Sequence, residues 1–161
     1  MASTTPIIRQ IAWLSIIPQM IVMGLLMLLW YQFNQQDFLV YGAVTYWIIS
    51  FILRSLIPKN HRSGMNKVKV GNYESAIADF EKSYDFFDKN QWIDKYKFLL
   101  LLSYSKISYK EMALNNIAFC YGQIGEGDKS KAFYERTLKE YPESGIAKAG
   151  LNLINAKHQN N

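Results

Sequence analysis

Two nearly continuous apolar stretches, Ile11–Trp30 and Phe38–Leu53, constrain this chain more than any other feature. About twenty helical residues rise roughly 30 Å, the hydrocarbon thickness of a bilayer. The polar connection Gln32–Asp37 is too short for anything but two antiparallel helices. The spacing therefore predicts a transmembrane hairpin, residues 1–57, with helices over about 11–30 and 38–57. The second helix reaches Ile57 if Arg54 snorkels to water. Trp13, Trp30 and Tyr31 lie near the ends of the first stretch, and Phe38, Tyr41, Tyr46 and Trp47 supply aromatic anchors on the second. The first run is long and no small-residue cleavage site follows it, so it is expected to be retained rather than removed as a leader. Pro18 and Gln19 interrupt it. Proline removes a backbone donor and kinks a helix. Gln19 is either satisfied locally or hydrogen-bonded to a neighbouring helix, so Pro18 and Gln19 are the candidate helix-pairing site in the membrane.

Charge sets the orientation. The connection carries no Lys or Arg, whereas Arg9 flanks the first helix, and Arg54, Lys59, Arg62, Lys67 and Lys69 flank the second. The positive-inside rule then puts both termini in the cytoplasm, and a bacterial cytoplasmic membrane is expected. Residues 58–70 form a basic juxtamembrane helix whose cluster signals topology or meets anionic headgroups. The net charge of +5 comes almost wholly from this segment, because residues 71–161 balance 12 basic against 12 acidic side chains. No broad basic surface remains for nucleic acid.

Residues 58–161 read as helical pairs. Leu114, Ile117, Ala118 and Tyr121 recur at helical spacing up to Gly125, where glycine accepts the left-handed conformation of a helix end. Ser130, Tyr134, Thr137 and Leu138 form a second stripe, closed by Pro142. Such a pair cannot bury its apolar face alone and must stack on neighbours. On Leu114, Ile117, Ala118, Tyr121, Gly125, Tyr134, Leu138 and Pro142, the segment of about 111–144 resembles a tetratricopeptide repeat. Small Ser130 and Thr137 stand where alanine is usual, which keeps close helix packing open. A second, degenerate match covers about 58–88. There Gly64 fits the small slot, Gly71-Asn72-Tyr73 the turn, and Ala76, Ile77, Phe80 and Tyr84 the second helix, while Lys67 replaces a typical tyrosine. The resemblance implies an all-α fold, a short α-solenoid that binds proteins.

The two turn glycines lie 54 positions apart, about 20 more than one such repeat. The excess falls at about 90–109, where Trp92, Ile93, Tyr96, Leu99 and Leu100 make an amphipathic face. One inserted apolar helix is expected there, packed in the domain core, on the membrane or hairpin, or on a partner. Residues of about 144–157 carry Ile146, Ala149, Gly150, Leu153 and Ile154 on one side, like the closing helix of a repeat array.

Motifs of catalysis are not found: the chain has no phosphate-binding glycine loop, nucleophile elbow or His-Glu-x-x-His pair. No catalytic residue, metal ligand or cofactor is expected. The single cysteine, Cys120, sits in an apolar helix and reads as a buried structural thiol. The resemblance implies that the first helix of each pair lines an inner groove. In the better repeat that groove would be lined by Met112, Asn115, Phe119, Gly122 and Gln123, with Asn116 near a position used by relatives that clamp a peptide carboxylate. His61 and Met65 stand where such a clamp needs lysine and asparagine, so that specific activity is not expected. The expected function is a membrane-anchored adaptor or scaffold that recruits an unidentified protein or peptide partner, with a second copy of the chain among the candidates. The alternative is an accessory or assembly subunit of a membrane complex, with the hairpin as its interface. A transporter component and an enzyme have less to support them.

Overall fold

The computed structural model describes residues 16–101 and 105–159, and the regular elements in them are helices. They are α1 (Ile16–Tyr31), α2 (Phe38–Leu56), α3 (Lys59–Lys69), α4 (Tyr73–Lys89), α5 (Gln91–Lys95), α6 (Lys97–Leu100), α7 (Tyr109–Gln123), α8 (Gly127–Glu140) and α9 (Gly145–Gln159). The chain divides into two compact units. One holds residues 16–59 with the described part of Asn90–Lys106, and the other holds Asn60–Lys89 with residues 107–159.

In the first unit α1 and α2 pack side by side. Trp30 stacks on Tyr41, with ring centroids 5.1 Å apart, and Met27 lies against Gly42, so position falls along α1 as it rises along α2 and the pair is antiparallel. A Cβ on Gly42 would come within 2.8 Å of the Met27 backbone. Glycine at this point lets the two backbones approach. Gly42 and Ser50, the buried residues of α2, are two small side chains on one face. The turn between the helices is closed by Asn34, whose Oδ1 accepts from the backbone N–H groups of Gln36 and Asp37. Trp30 donates its indole N–H to Thr45 Oγ1 at 3.0 Å, and Tyr31 meets Phe38 edge to face. Of the two helices α2 is long and apolar enough to cross a membrane, and α1 is a shorter apolar helix. The expected start of the first helix at Ile11, with Trp13, lies outside the described residues. Pro18 lies in the first described turn of α1.

The same unit holds the inserted segment. Instead of the single helix expected over 90–109, two short helices meet at Tyr96, whose backbone (φ −102°, ψ 22°) departs from helical values. The Tyr96 N–H is satisfied by Trp92 O, and the break re-aims the chain so that α6 packs on α1. Arg54, in the last turn of α2, donates from Nε to Leu101 O at 3.3 Å. The insertion therefore belongs with the apolar pair and not with the core of the helical pairs.

In the second unit the chain leaves after Lys89 and returns at Ile107, and α4 packs directly on α7. The pattern of burial repeats at the 54-residue offset. Ala76, Phe80 and Ser83 of α4 correspond to Ser130, Tyr134 and Thr137 of α8, and all six are buried. Gly71 (φ 78°) and Gly125 (φ 85°) occupy the left-handed region at the two equivalent turns, as their positions predict. The hydroxyls in the usual alanine slots are satisfied within the packing: Ser130 donates to Ala118 O and Thr137 to Phe133 O, each at 2.8 Å. Ser108 caps α7 by accepting from the Glu111 N–H. One core cluster gathers Ala76, Ile77, Phe80, Ile117 and Cys120, and another gathers Ala118, Tyr134 and Ala147, which carries the core on into α9. Gly150 of α9 sits on the Tyr134 ring, where a Cβ would lie 2.4 Å away.

Candidate functional site

The residues expected to line a groove divide between an accessible face and the packing of α7. α7 is flanked by α4, α8 and α9, and three successive residues, Ala113, Leu114 and Asn115, are buried. Consecutive helical positions point about 100° apart, so such a run covers more than half the circumference. Asn115 is accordingly no groove residue. Its Nδ2 donates to Glu111 O at 3.1 Å and to Ser144 Oγ at 3.3 Å, linking α7 to the start of α9. Gly122 faces α8, with its absent Cβ directed 3.2 Å from Ser130 Oγ. It permits close contact between α7 and α8 and is itself exposed.

Met112, Asn116 and Phe119 are half-buried and Gln123 is exposed. Asn116 Nδ2 lies 3.5 Å from Met65 Sδ on α3, and Phe119 meets the Tyr73 ring edge to face. The structure thus joins Met65 and Tyr73 to this face. The sequence pattern places Met65 in a clamp slot and Tyr73 in the turn, and only the packing of α3 and α4 beside α7 brings them here. The resulting surface is aromatic and thioether-rich with an amide at its centre. Such a surface adapts to apolar side chains and offers one hydrogen-bonding position.

His61 occupies the expected clamp-lysine slot, but it is buried between Phe80 and Tyr109, with both rings edge to face at about 5.5 Å. Its Nδ1 has no hydrogen-bond partner. Burial pushes its pKa down to about 4, so the ring is neutral at physiological pH.

The basic cluster is likewise divided. Lys67 forms an ion pair with Asp79 of α4 at 2.7 Å and also donates to Ser75 O. Burial alone would raise the Asp79 pKa, but hydrogen bonds from Lys67 and Ser63 outweigh it and hold the carboxyl below its usual range. Arg54 is bound to Leu101 O. Lys59, Arg62 and Lys69 are exposed and share one face of α3, at spacings of three and seven. Three charges of the expected five therefore point to solvent, because one serves to hold α3 on α4 and one holds the insertion. Pro18 and Gln19 are half-buried in α1.

A third constellation, scattered in sequence, joins α4, α7 and α8. Lys110 bridges Asp88 at 2.6 Å and Glu140 at 2.9 Å, while Tyr84 donates to Glu140 and lies under Arg136, whose guanidinium is 4.5 Å from the ring centre. Burial opposes the charge on Lys110, yet its two carboxylate partners raise its pKa. Burial would raise the Glu140 pKa, and hydrogen bonds from Lys110, Tyr84 and Arg136 lower it instead. Every charge has an opposite partner, so the cluster acts as a cross-helix brace. Cys120 is buried, and desolvation raises its thiol to about 12, which removes the thiolate needed for nucleophilic chemistry at neutral pH. Among the described residues no three His, Cys, Asp or Glu side chains gather as a metal site. Comparison with protein-family models, curated proteins and solved structures finds no match.

Proposed function

We propose that this chain is a membrane-anchored adaptor. In this reading α1 and α2 span the bilayer with both termini on the cytoplasmic side, and α3–α4 and α7–α8 are two tetratricopeptide-type repeats closed by α9. The observation that carries the reading is the exposure of α2. Trp47, Phe51 and Leu56 are 69%, 61% and 66% accessible on a helix long enough to cross a membrane. A core helix of a water-soluble body buries such residues, whereas a lipid-facing helix presents them. The repeat assignment is supported by the left-handed glycines at Gly71 and Gly125 and by the recurrence of the Ala76–Phe80–Ser83 burial pattern at Ser130–Tyr134–Thr137. Partner binding is supported by the face of Met65, Met112, Asn116 and Phe119, which suits an extended peptide or a helix. Anchoring raises the partner's effective concentration at the membrane without adding a contact. No reaction is assigned to the chain.

A photo-reactive amino acid placed at Met112 or Gln123, compared with one at the exposed lipid-side positions Ile21 or Ile48, tests this in native membranes. Protein adducts from the first pair and lipid adducts from the second are expected. Protein adducts from Ile21 or Ile48 alone would instead make the hairpin the interface, as in an accessory subunit of a membrane complex.

A further inference from the structure

The inserted segment has two faces. Ile93, Lys97 and Leu101, four residues apart, are buried at 9%, 5% and 0% exposure. Trp92 and Tyr96, also four apart, are 56% and 52% exposed. The inner face is fastened at three points: α6 lies on α1, Arg54 Nε donates to Leu101 O beside the last turn of α2, and Lys97 Nζ donates to Lys106 O at 3.2 Å while facing Asp94. The outer face carries two large amphipathic rings with exposed Lys95, whose Nζ lies 5.5 Å from the Tyr96 ring centre, and Lys106 further along the chain is exposed as well. Tryptophan, tyrosine and lysine on one side of a short segment form the combination that settles at a lipid headgroup layer, where rings are half in hydrocarbon and ammonium groups meet phosphate.

Position within the unit selects the lipid surface over other occupants. Trp30, Tyr31, Phe33 and Tyr41 cluster at the closed end of the α1–α2 hairpin. The insertion is tied to Arg54 at the open end, roughly 24 Å along α2 from Phe38, most of a bilayer's hydrocarbon thickness of about 30 Å. Rings of both hairpin helices cluster at the closed end, and at the open end the insertion adds Trp92 and Tyr96 beyond the stacked Trp47 and Phe51 of α2.

We propose that Gln91–Leu101 lies in the headgroup layer of the leaflet where α2 emerges, with Trp92 and Tyr96 inserted among phospholipids and Lys95 and Lys106 paired with their phosphates. This rests on the transmembrane reading of α1 and α2. The segment fixes the depth and tilt of the hairpin, since sliding along the membrane normal would pull two rings out of their preferred layer. It also gives the 54-residue offset between the repeats a purpose, because the extra chain leaves the array to reach the membrane.

Spin labels on cysteines introduced singly into the full chain, reconstituted in liposomes of phosphatidylcholine and phosphatidylglycerol, test the proposal. The substitutions are Trp92→Cys, Tyr96→Cys, Trp47→Cys and Gln123→Cys, all at exposed positions, and buried Cys120 stays unlabelled. Collision with oxygen relative to a water-soluble nickel chelate reports depth. The Trp47 label is expected deep, the Gln123 label in water, and the Trp92 and Tyr96 labels between them at the headgroup boundary. Labels at both Trp92 and Tyr96 that match Gln123, or that are shielded from both reagents by protein contact, with Trp47 still deep, would overturn the proposal and leave the hairpin standing. A water-exposed Trp47 label would overturn both.

Discussion

His61 carries a pH dependence with a definite sign. It faces the uncharged rings of Phe80 and Tyr109 and has no partner for Nδ1, so folding keeps it neutral. Its pKa falls from 6.5 to about 4. Between those values the unfolded chain binds a proton that the folded chain does not, so this contribution is fully present above pH 6.5 and is lost as pH falls toward 4. The loss should reach on the order of 3 kcal/mol at the acid end. Urea unfolding in detergent micelles at several pH values should show this slope, and His61→Met should flatten it. An unchanged slope would mean that other groups dominate the window; Asp79 and Glu140, whose pKa values are depressed, lose their contributions lower down. The burial of His61 was not legible from its neighbours in sequence, because the rings that enclose it come from α4 and α7. The same holds for Asn115 and Lys67, whose partners lie 29 and 12 residues away at Ser144 and Asp79. A polar side chain in a helix announces its chemistry but not which distant group will satisfy it. The glycines differ, since Gly71 and Gly125 are required by the local backbone and were readable without tertiary information.

At the level of elements, small residues decide how closely helices approach, and each contact has its own tolerance. A Cβ on Gly150 would lie 2.4 Å from the buried Tyr134 ring, whereas one on Gly122 would lie 3.2 Å from the Ser130 hydroxyl. Gly150→Ala should therefore cost about 1–3 kcal/mol through overpacking, against a helix-propensity gain of about 1 kcal/mol. It should also strip hydrogen-exchange protection from α9. Gly122→Ala needs a shift of only a few tenths of an ångström, and its propensity gain should leave stability unchanged within about 1 kcal/mol. Equal effects in the two variants would contradict the packing described. Helix positions were largely legible: apolar spacing located α2, α4, α7 and α8, and Pro142 stands just past the end of α8. Periodicity over 90–109 put Trp92, Ile93 and Tyr96 on one face, whereas the break at Tyr96 leaves Ile93 buried and Trp92 and Tyr96 exposed. It also did not show how many neighbours surround α7, which bury Asn115 and leave Asn116 and Phe119 half-buried.

For the whole molecule, the chain joins two units of opposite surface character and passes between them at residues 59–60, 89–90 and 106–107. One presents apolar side chains outward along α1 and α2, and the other is braced by ion pairs such as Lys110 with Asp88 and Glu140. That contrast was visible in the sequence as two apolar runs followed by a charge-balanced remainder. The central claim is that α1 and α2 cross a bilayer and leave the helical pairs on one side of it. Cysteine accessibility tests it most directly. Gln36→Cys marks the turn between the helices and Gln123→Cys marks α7, and the native Cys120 thiol is silent because it is buried. With a membrane-impermeant maleimide, Gln36→Cys should react only from the external face of intact cells, and Gln123→Cys only in inverted vesicles. Labelling of both positions from the same face would contradict the account.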